Sequence, residues 1–301
     1  MLLKELLSLR NISHLKEGLS VYNIETECQR KVDLIKILEE TILMDDFIIL
    51  NMIRLTERER NLIIKSLDTD NKIKVTDSNL ADILNIDSFL YGLFDNDYYL
   101  VASDIASKIK EKNEGPLITS INRLHAINKV LAYASNFFGI FDLNVLYKMF
   151  MLNPNYKNTP LNEFSTLVTN LNEALNYYTF TSSKFISHKA KDLKEEDFKD
   201  TYNIPSEKEI DEYFVKHYLK IKELEDVKKH ALQKHTKIEA EIFLRLLFDA
   251  SLTAKESTDL IGLTKAFFLP QTEEEIKDVS TLIVMSFYYT PKLYLKGHRL
   301  V

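Results

Sequence analysis

The sequence contains little cysteine, glycine or proline. Among its 301 residues are one cysteine, six glycines and six prolines. A single cysteine excludes an internal disulfide framework and a zinc site built from cysteines, so we expect a reducing, cytoplasmic location. So few helix-breaking residues favour long helices joined by short connections. We therefore predict a mainly α-helical protein.

Long apolar runs and a secretion signal are also missing. The most apolar stretch, residues 279–289, is about half of the ~20 residues that a membrane span needs. The opening residues carry a charge every few positions and lack the apolar centre and cleavage site of a signal peptide. Both observations predict a protein without membrane contacts.

Familiar catalytic motifs are absent as well. The scattered glycines form neither of the two common phosphate-binding loops, and the sequence has no nucleophile-elbow pattern. Cys28 lies close to Glu25 and Glu27, which oppose its ionisation to the reactive thiolate. We therefore predict no catalytic residue, no cofactor and no enzymatic activity.

The acidic charge of the chain is unevenly distributed. The net charge is -6. Residues 1–114 contain 15 lysines and arginines against 21 aspartates and glutamates, whereas the rest of the chain contains 24 of each kind. Because phosphate neutralisation supplies most of the non-specific affinity for nucleic acid, the acidic first part is a poor candidate for binding it.

Residues 1–42 and 43–115 are the first two predicted segments. Apolar residues at helical spacing over Arg30–Thr41 predict a helix that follows shorter helical pieces. In the second segment, the aromatic run FLYGLFDNDYYLVA predicts a β-hairpin that turns at residues 95–97. Because helices precede this hairpin, the second segment is predicted to be a winged-helix-like module.

Residues 116–200 and 201–301 are the other two predicted segments. Three helical patterns and a second hairpin, over YYTFTSSKFISH, predict another winged-helix-like module. The charge run KAKDLKEEDFKD that follows is either a linker or an exposed helix. The last hundred residues are expected to form a helical bundle.

Several helix starts are predicted from a Ser or Thr followed three residues later by Glu, which is the capping-box pattern. Ser206 is expected to begin a long helix that reaches about Lys234. The same pattern predicts N-caps at Thr56, Thr253 and Thr272, and Thr76 or Asp77 is expected to cap a further helix without it.

Four stretches of the sequence resemble known proteins. The first is RKVDLIKILEE, which resembles the second helix of SAP domains and of the N-terminal module of Rho termination factor, modules that bind nucleic acid or partner proteins. With GLFDNDYYLVASDI, FGIFDLNVLYKMF and YYTPKLYLKGHRL, it also resembles a group of uncharacterised proteins of low-GC Gram-positive bacteria. Many of that group end in a cysteine-rich SEC-C zinc tail, which this sequence lacks. The resemblance implies the modules but no activity.

A basic stripe is the main candidate binding surface. Six lysines lie between residues 216 and 245, where long helices can present them to phosphates or to an acidic partner. The alternative is an exposed helix of mixed charge that binds nothing. The six candidate residues are Lys220, Lys222, Lys228, Lys229, Lys234 and Lys237.

The best metal candidate pairs His235 with Glu239, which lie four residues apart and so on one helix face. His230 and Glu241 are close by in the sequence. A third convergent ligand would be needed, and a solvated helical surface explains the same residues. We therefore predict no metal site.

These observations rank three functions. The first is a non-enzymatic binding or regulatory protein that recognises a protein partner, because the segment Asn79–Asp87, where a DNA reader needs a basic recognition helix, has no lysine or arginine. The second is a DNA- or RNA-binding regulator that uses the C-terminal stripe. The third is a metal-dependent enzyme. Each of these three functions is compatible with association of the chain into a homo-oligomer.

Overall fold

The computed structural model describes residues 1–181, 184–191, 201–269 and 272–300, with the side chains of residues 180 and 181 left aside. In these ranges the chain forms fifteen α-helices and two three-stranded antiparallel sheets. The predicted fold class, mainly α with small β-hairpins, is thereby confirmed. The chain divides into two compact units, Met1–His125 and Ala126–Val301. The finer division into four segments stays a prediction.

The first unit contains seven complete helices, one sheet and the start of helix α8 (Ile118–Phe137). Its sheet has the order β1-β3-β2, so the first strand pairs with the last. The elements are α1 (Leu3–Leu9), α2 (Ile12–Val21), α3 (Lys31–Ile42), α4 (Asp45–Arg54), α5 (Glu57–Ser66), β1 (Lys72–Lys74), α6 (Leu80–Asp87), β2 (Gly92–Asp95), β3 (Tyr98–Val101) and α7 (Ser103–Asn113).

The second unit contains the end of α8, seven further helices and the other sheet, which has the order β4-β6-β5. Short 3-10 helices lie at Pro154–Tyr156, His188–Ala190 and Ser257–Leu260. The remaining elements are β4 (Ile140–Phe141), α9 (Leu143–Phe150), α10 (Leu161–Leu175), β5 (Tyr178–Thr181), β6 (Lys184–Ser187), α11 (Glu207–Lys216), α12 (Lys222–Ala231), α13 (Lys237–Thr253), α14 (Ile261–Phe268) and α15 (Glu273–Tyr289).

Local chemistry explains the elements that the sequence predicts. The side chain of Thr56 accepts a hydrogen bond from the backbone N–H of Glu59, whose carboxylate accepts one from the Thr56 N–H, so both form the expected capping box. Ser206 and Thr272 begin helices in the same way. The first hairpin turns at Asn96, which has a φ of 52°, a conformation that asparagine tolerates well.

Three predicted helix starts or lengths are wrong. The helix that begins after Ser206 ends at Lys216, because His217 adopts a left-handed conformation (φ 59°), and the next helix starts only at Lys222. Thr253 is the last residue of α13 and caps no helix. The N-cap of α6 is Asn79, whose side chain accepts a hydrogen bond from the Thr76 N–H instead of capping the helix itself.

Two other predictions fall partly outside the described residues. Most of the charge run KAKDLKEEDFKD, from residue 192 on, lies there, as do residues 182 and 183 in the turn of the second hairpin. The strands of that hairpin, β5 and β6, are present and paired as predicted. Among the described residues, no helix is both long and apolar enough to cross a membrane.

The core of the first unit contains a buried arginine. Arg60 on α5 is 1% exposed. Its guanidinium group donates to the backbone oxygens of Met52 (2.9 Å) and Leu55 (3.0 Å) and to the side-chain oxygens of Asn113 (3.3 Å) and Asn122 (2.5 Å). One side chain thereby links α4, α5, α7 and the start of α8.

The second unit buries a lysine with far fewer partners. Lys292 follows α15 and is 0% exposed. Its ammonium group donates to the backbone oxygen of Ser251 (2.7 Å), at the C-terminal end of α13, and lies 3.9 Å from the centre of the Phe287 ring. Burial lowers the pKa of Lys292 to about 7, a shift that Asp259 partly opposes.

Candidate functional site

The six candidate lysines do not share one helix face. They lie on α12, on α13 and in the connections beside these helices, because the single long helix predicted for this region is divided into α11 and α12 and ends before α13. Lys220 precedes α12, Lys222 begins it, Lys228 and Lys229 lie in its last turn, Lys234 follows it, and Lys237 begins α13.

Lys228 belongs to a partly buried ion pair. Its ammonium group lies 3.1 Å from the carboxylate of Glu241, which is 3% exposed. The hydroxyl of Tyr218 donates to the other oxygen of the same carboxylate at 2.9 Å. This lysine neutralises a buried carboxylate on α13, so its charge is already paired within the unit.

Two more lysines of the stripe have acidic partners. Lys229 donates to Asp226 three residues earlier on α12, at 2.9 Å, and this hydrogen bond lowers the pKa of Asp226. Lys234 donates to Glu275 on α15 at 2.5 Å. Lys220 and Lys222 are exposed and have no ion-pair partner in the part of the chain that the structure describes.

The candidate metal ligands have other roles. The ring of His235 stacks on Phe267, with the ring centres 4.0 Å apart. The carboxylate of Glu239 caps its own helix by accepting from the N–H and hydroxyl of Thr236. Over the described ranges, no three His, Cys, Asp or Glu side chains come together as a set of metal ligands.

A groove lies beside the stripe, between α12 and α15. Its volume is about 310 Å³. Residues of α12 and its C-terminal end form one wall, and residues of α15 form the other. The lining residues are Asp226, Lys229, His230, Gln233, Asp278, Thr281 and Leu282.

The sequence points to only part of this groove. Lys229 and His230 stand out as a candidate binding residue and a candidate ligand, whereas Asp278 and Thr281 on α15 show no motif. They lie opposite α12 because the two helices pack together, and periodicity within one helix carries no information on such a distant pairing. The acid-rich start of α15, EEEIKD, is the one local signal of a charged surface there.

The helix before each hairpin is the other element to test for binding, because the recognition helix of a DNA reader lies in the major groove. In the first unit this helix is α6. Six of its eight residues are buried, including Asp82, which pairs with Arg58 at 3.0 Å. Asp87 at its end pairs with Arg10 at 2.6 Å. Helix α6 is therefore part of the core and not a reading surface.

In the second unit the corresponding helix is α10, which is exposed along one side. Its buried residues are Phe164, Val168, Leu171 and Leu175. The exposed side is uncharged or acidic and consists of Leu161, Asn162, Glu163, Thr166, Thr169, Asn170, Glu173 and Ala174. The helix contains no lysine or arginine.

Comparison with known protein families, with curated proteins and with solved structures gives no match.

Proposed function

We propose that this chain is a non-enzymatic binding protein that recognises a protein partner. In this proposal it contains two winged-helix modules followed by a C-terminal helical bundle, and it acts in the cytoplasm. The single cysteine, which cannot form an internal disulfide, is compatible with that reducing compartment.

The order of the elements supports the winged-helix interpretation. In the second unit a helix, a strand, two helices and two strands follow one another, from α8 to β6. The first strand of this set pairs with the last, which gives the sheet order β4-β6-β5. The first unit has the same sheet order, β1-β3-β2, but only one helix, α6, between the first two strands.

The observation that carries the choice of a protein partner is the chemistry of α6 and α10. A helix that enters the major groove must be exposed, and it reads bases mainly with Arg, Lys, Asn or Gln beside cations that contact phosphate. Helix α6 is buried, and α10 exposes Asn162 and Asn170 but places Glu163 and Glu173 beside them and no cation. Both acids would repel a phosphate backbone, whereas a protein surface can accept such a face.

The stripe supports the same choice. Three of its six lysines are paired with Glu241, Asp226 and Glu275, so they would have to give up an existing partner to neutralise phosphate. Exposed pairs are weak, but the pair with buried Glu241 is costly to break. Lys237 is not without a partner either, which leaves Lys220 and Lys222 as the readily available cations of the stripe.

The test is affinity purification of the tagged full chain from its source cell, with and without nuclease. We expect one protein to be retained in stoichiometric amount after nuclease treatment. Loss of all bound material on nuclease treatment would contradict the proposal and favour a DNA- or RNA-binding regulator instead. A tightly held metal ion in the purified chain would favour the third function, a metal-dependent enzyme.

A further inference from the structure

Residues 290–300 follow α15 and cross the second unit without forming a helix or a strand. We call this segment the strap. The backbone N–H of Leu293 in the strap donates to the oxygen of Leu252, at the end of α13, at 2.9 Å. The backbone N–H and the side-chain amide of Asn203 donate to two further strap carbonyls, each at 3.0 Å. The strap is therefore attached at separate points and not along a continuous ladder of hydrogen bonds.

The side chain of Lys292 is the buried attachment of the strap to α13. It is 0% exposed, donates to the backbone oxygen of Ser251 at 2.7 Å and lies 3.9 Å from the centre of the Phe287 ring. A charged amine has three N–H donors, and this one has no carboxylate partner among the described residues. The charged form is therefore poorly compensated in the closed strap, whereas the neutral amine can keep its one hydrogen bond.

We propose that the strap is a pH-sensitive device that opens more readily in mildly acidic conditions, when the buried amine of Lys292 gains a proton. Opening transfers the ammonium group to water. It also uncovers the side chains of Ile140 and Ala190, which pack with Leu293 while the strap is closed. The second unit would then expose in mild acid an apolar surface that is covered at neutral pH. This inference goes beyond the proposed function and does not depend on it.

Three buried hydroxyl groups at the ends of α13 and α15 favour opening at this place. Ser251, Ser286 and Thr290 are each 0% exposed, and their side-chain oxygens have no hydrogen-bond partner among the described residues. Ser251 contacts Lys292 through its backbone, and the other two lie one turn apart where α15 ends and the strap begins. A buried hydroxyl without a partner costs about 1–3 kcal/mol. Because water satisfies such groups after opening, the closed strap is locally weak.

Few charged groups on the surrounding elements act on Lys292. Asp259 favours the charged amine, but by less than burial disfavours it. Asp249 near the end of α13 is paired with Lys189, and α15 has no charged side chain or histidine after residue 278. The other charged or titratable groups of the strap and of the connection after α13 are Lys255, Glu256, Tyr294, Lys296, His298 and Arg299. Histidine is the type among these that changes charge between about pH 5 and 8, so His298 requires a control.

The size of the effect follows from proton linkage. Burial lowers the pKa of Lys292 to about 7 in the closed strap, whereas the open strap returns the pKa towards the ordinary lysine value of 10.5. Between pH 8 and pH 6 the open strap is charged throughout, and the closed strap passes from mostly neutral to mostly charged. The ratio of closed to open strap therefore falls about tenfold over this range.

Hydrogen exchange of the intact chain at pH 8, 7 and 6, corrected for the intrinsic exchange rate of each amide, tests the proposal. The amides of Leu293 and Gly297 report on the strap because they donate to backbone oxygens, and that of buried Leu247 reports on α13. We expect the strap amides to be less protected than Leu247 at every pH and to lose about tenfold of their protection from pH 8 to pH 6. Lys292→Met should remove this change, and His298→Asn should preserve it.

Strap amides that are as well protected as Leu247 would overturn the inference, because the strap would then open only when the whole unit unfolds. Protection that does not change with pH in the wild-type chain would also overturn it, and this result decides the question even if Lys292→Met does not fold. A tenfold change that persists in Lys292→Met, or that disappears in His298→Asn, would assign the pH dependence to another group and contradict the role of Lys292.

Discussion

Each of the two units buries a cation, but the two cations differ in how many hydrogen bonds they make. In the first unit, Arg60 is 1% exposed and makes four hydrogen bonds to groups on α4, α7 and α8 and in the connection between α4 and α5. In the second unit, Lys292 is 0% exposed and makes one side-chain hydrogen bond, to Ser251. A well-bonded buried cation fixes the elements around it, whereas a poorly bonded one is a local cost to stability.

The difference extends to how each unit responds to pH. Burial raises the pKa of Glu59 in the first unit to about 7, helped by the nearby charge of Asp82 and opposed by hydrogen bonds from Thr56 and Asn85. Burial lowers the pKa of Lys292 in the second unit to about 7. Both shifts favour the neutral form of the side chain. They change the stability of the two units in different pH ranges and in opposite directions as pH rises.

Arg60→Leu should give the largest effect. The substitution leaves the oxygens of Met52, Leu55 and two asparagines without their donor, and each buried unsatisfied acceptor costs about 1–3 kcal/mol. We expect the first unit to lose at least ~3 kcal/mol of unfolding free energy, measured by denaturant titration with hydrogen exchange of α5. Lys65→Leu, an exposed change on the same helix, should stay within about 0.5 kcal/mol. Equal losses would show that the Arg60 network is not what holds these helices together.

The Glu59 carboxyl should make the first unit less stable as pH rises. Its folded pKa of about 7 lies above the ordinary glutamate value of 4.5, so between these values the folded state binds more protons than the unfolded state. The stabilisation is complete below pH 4.5 and is lost through pH 7, by about 3 kcal/mol. Hydrogen exchange of α5 and α6 between pH 5 and 8 measures it. Glu59→Gln should flatten this dependence, and an unchanged slope in that variant would assign it to another group.

Lys292 should make the second unit more stable as pH rises. Its folded pKa of about 7 lies below the ordinary lysine value of 10.5, so between these values the unfolded state binds more protons than the folded state. The cost of the buried charge is complete below pH 7 and is relieved toward pH 10. Lys292→Met should remove this slope and stabilise the unit at pH 6 by about 1 kcal/mol, the net of a relieved charge and a lost hydrogen bond. Destabilisation at pH 6 would mean that the bond to Ser251 dominates.

The smallest effect is expected at the exposed lysines of the stripe. Lys234→Ala removes the ion pair with Glu275, whose partners are 38% and 31% exposed. We expect a loss of no more than ~0.5 kcal/mol, and less at high salt. Lys228→Ala, which leaves buried Glu241 without its cation, should cost clearly more. Equal losses would contradict the distinction between the two pairs.

The sequence predicts the helices and hairpins that have local signals well. It predicts poorly the short strands that form only by pairing with strands distant in the sequence. Helices α3, α10 and α15 and the hairpin around Asn96 follow from spacing, caps and turn residues that lie close together in the chain. Strands β1 and β4 are three and two residues long and show no alternation. They exist because they pair with β3 and β6, which are distant in the sequence. Helix α4 also falls outside the predicted pattern.

The candidate site shows the same limit. A row of lysines is visible in the sequence, but their partners Glu241, Glu275 and Asp226 become apparent only when helices pack or when the register within α12 is known. The break at His217 also depends on a left-handed residue that no glycine or proline marks. Charge counts along the chain therefore overestimate how many cations are available to bind phosphate.

The most direct test of a protein rather than a nucleic-acid partner is a titration of the intact chain against labelled duplex DNA and single-stranded RNA at low salt. Our account predicts no saturable binding tighter than about 100 μM, the weak end of non-specific affinity. Micromolar binding with a steep log-log dependence on salt would contradict it. If Lys220→Glu/Lys222→Glu abolished such binding, the two exposed lysines of the stripe would be the nucleic-acid contacts and the ranking of the two functions would be reversed.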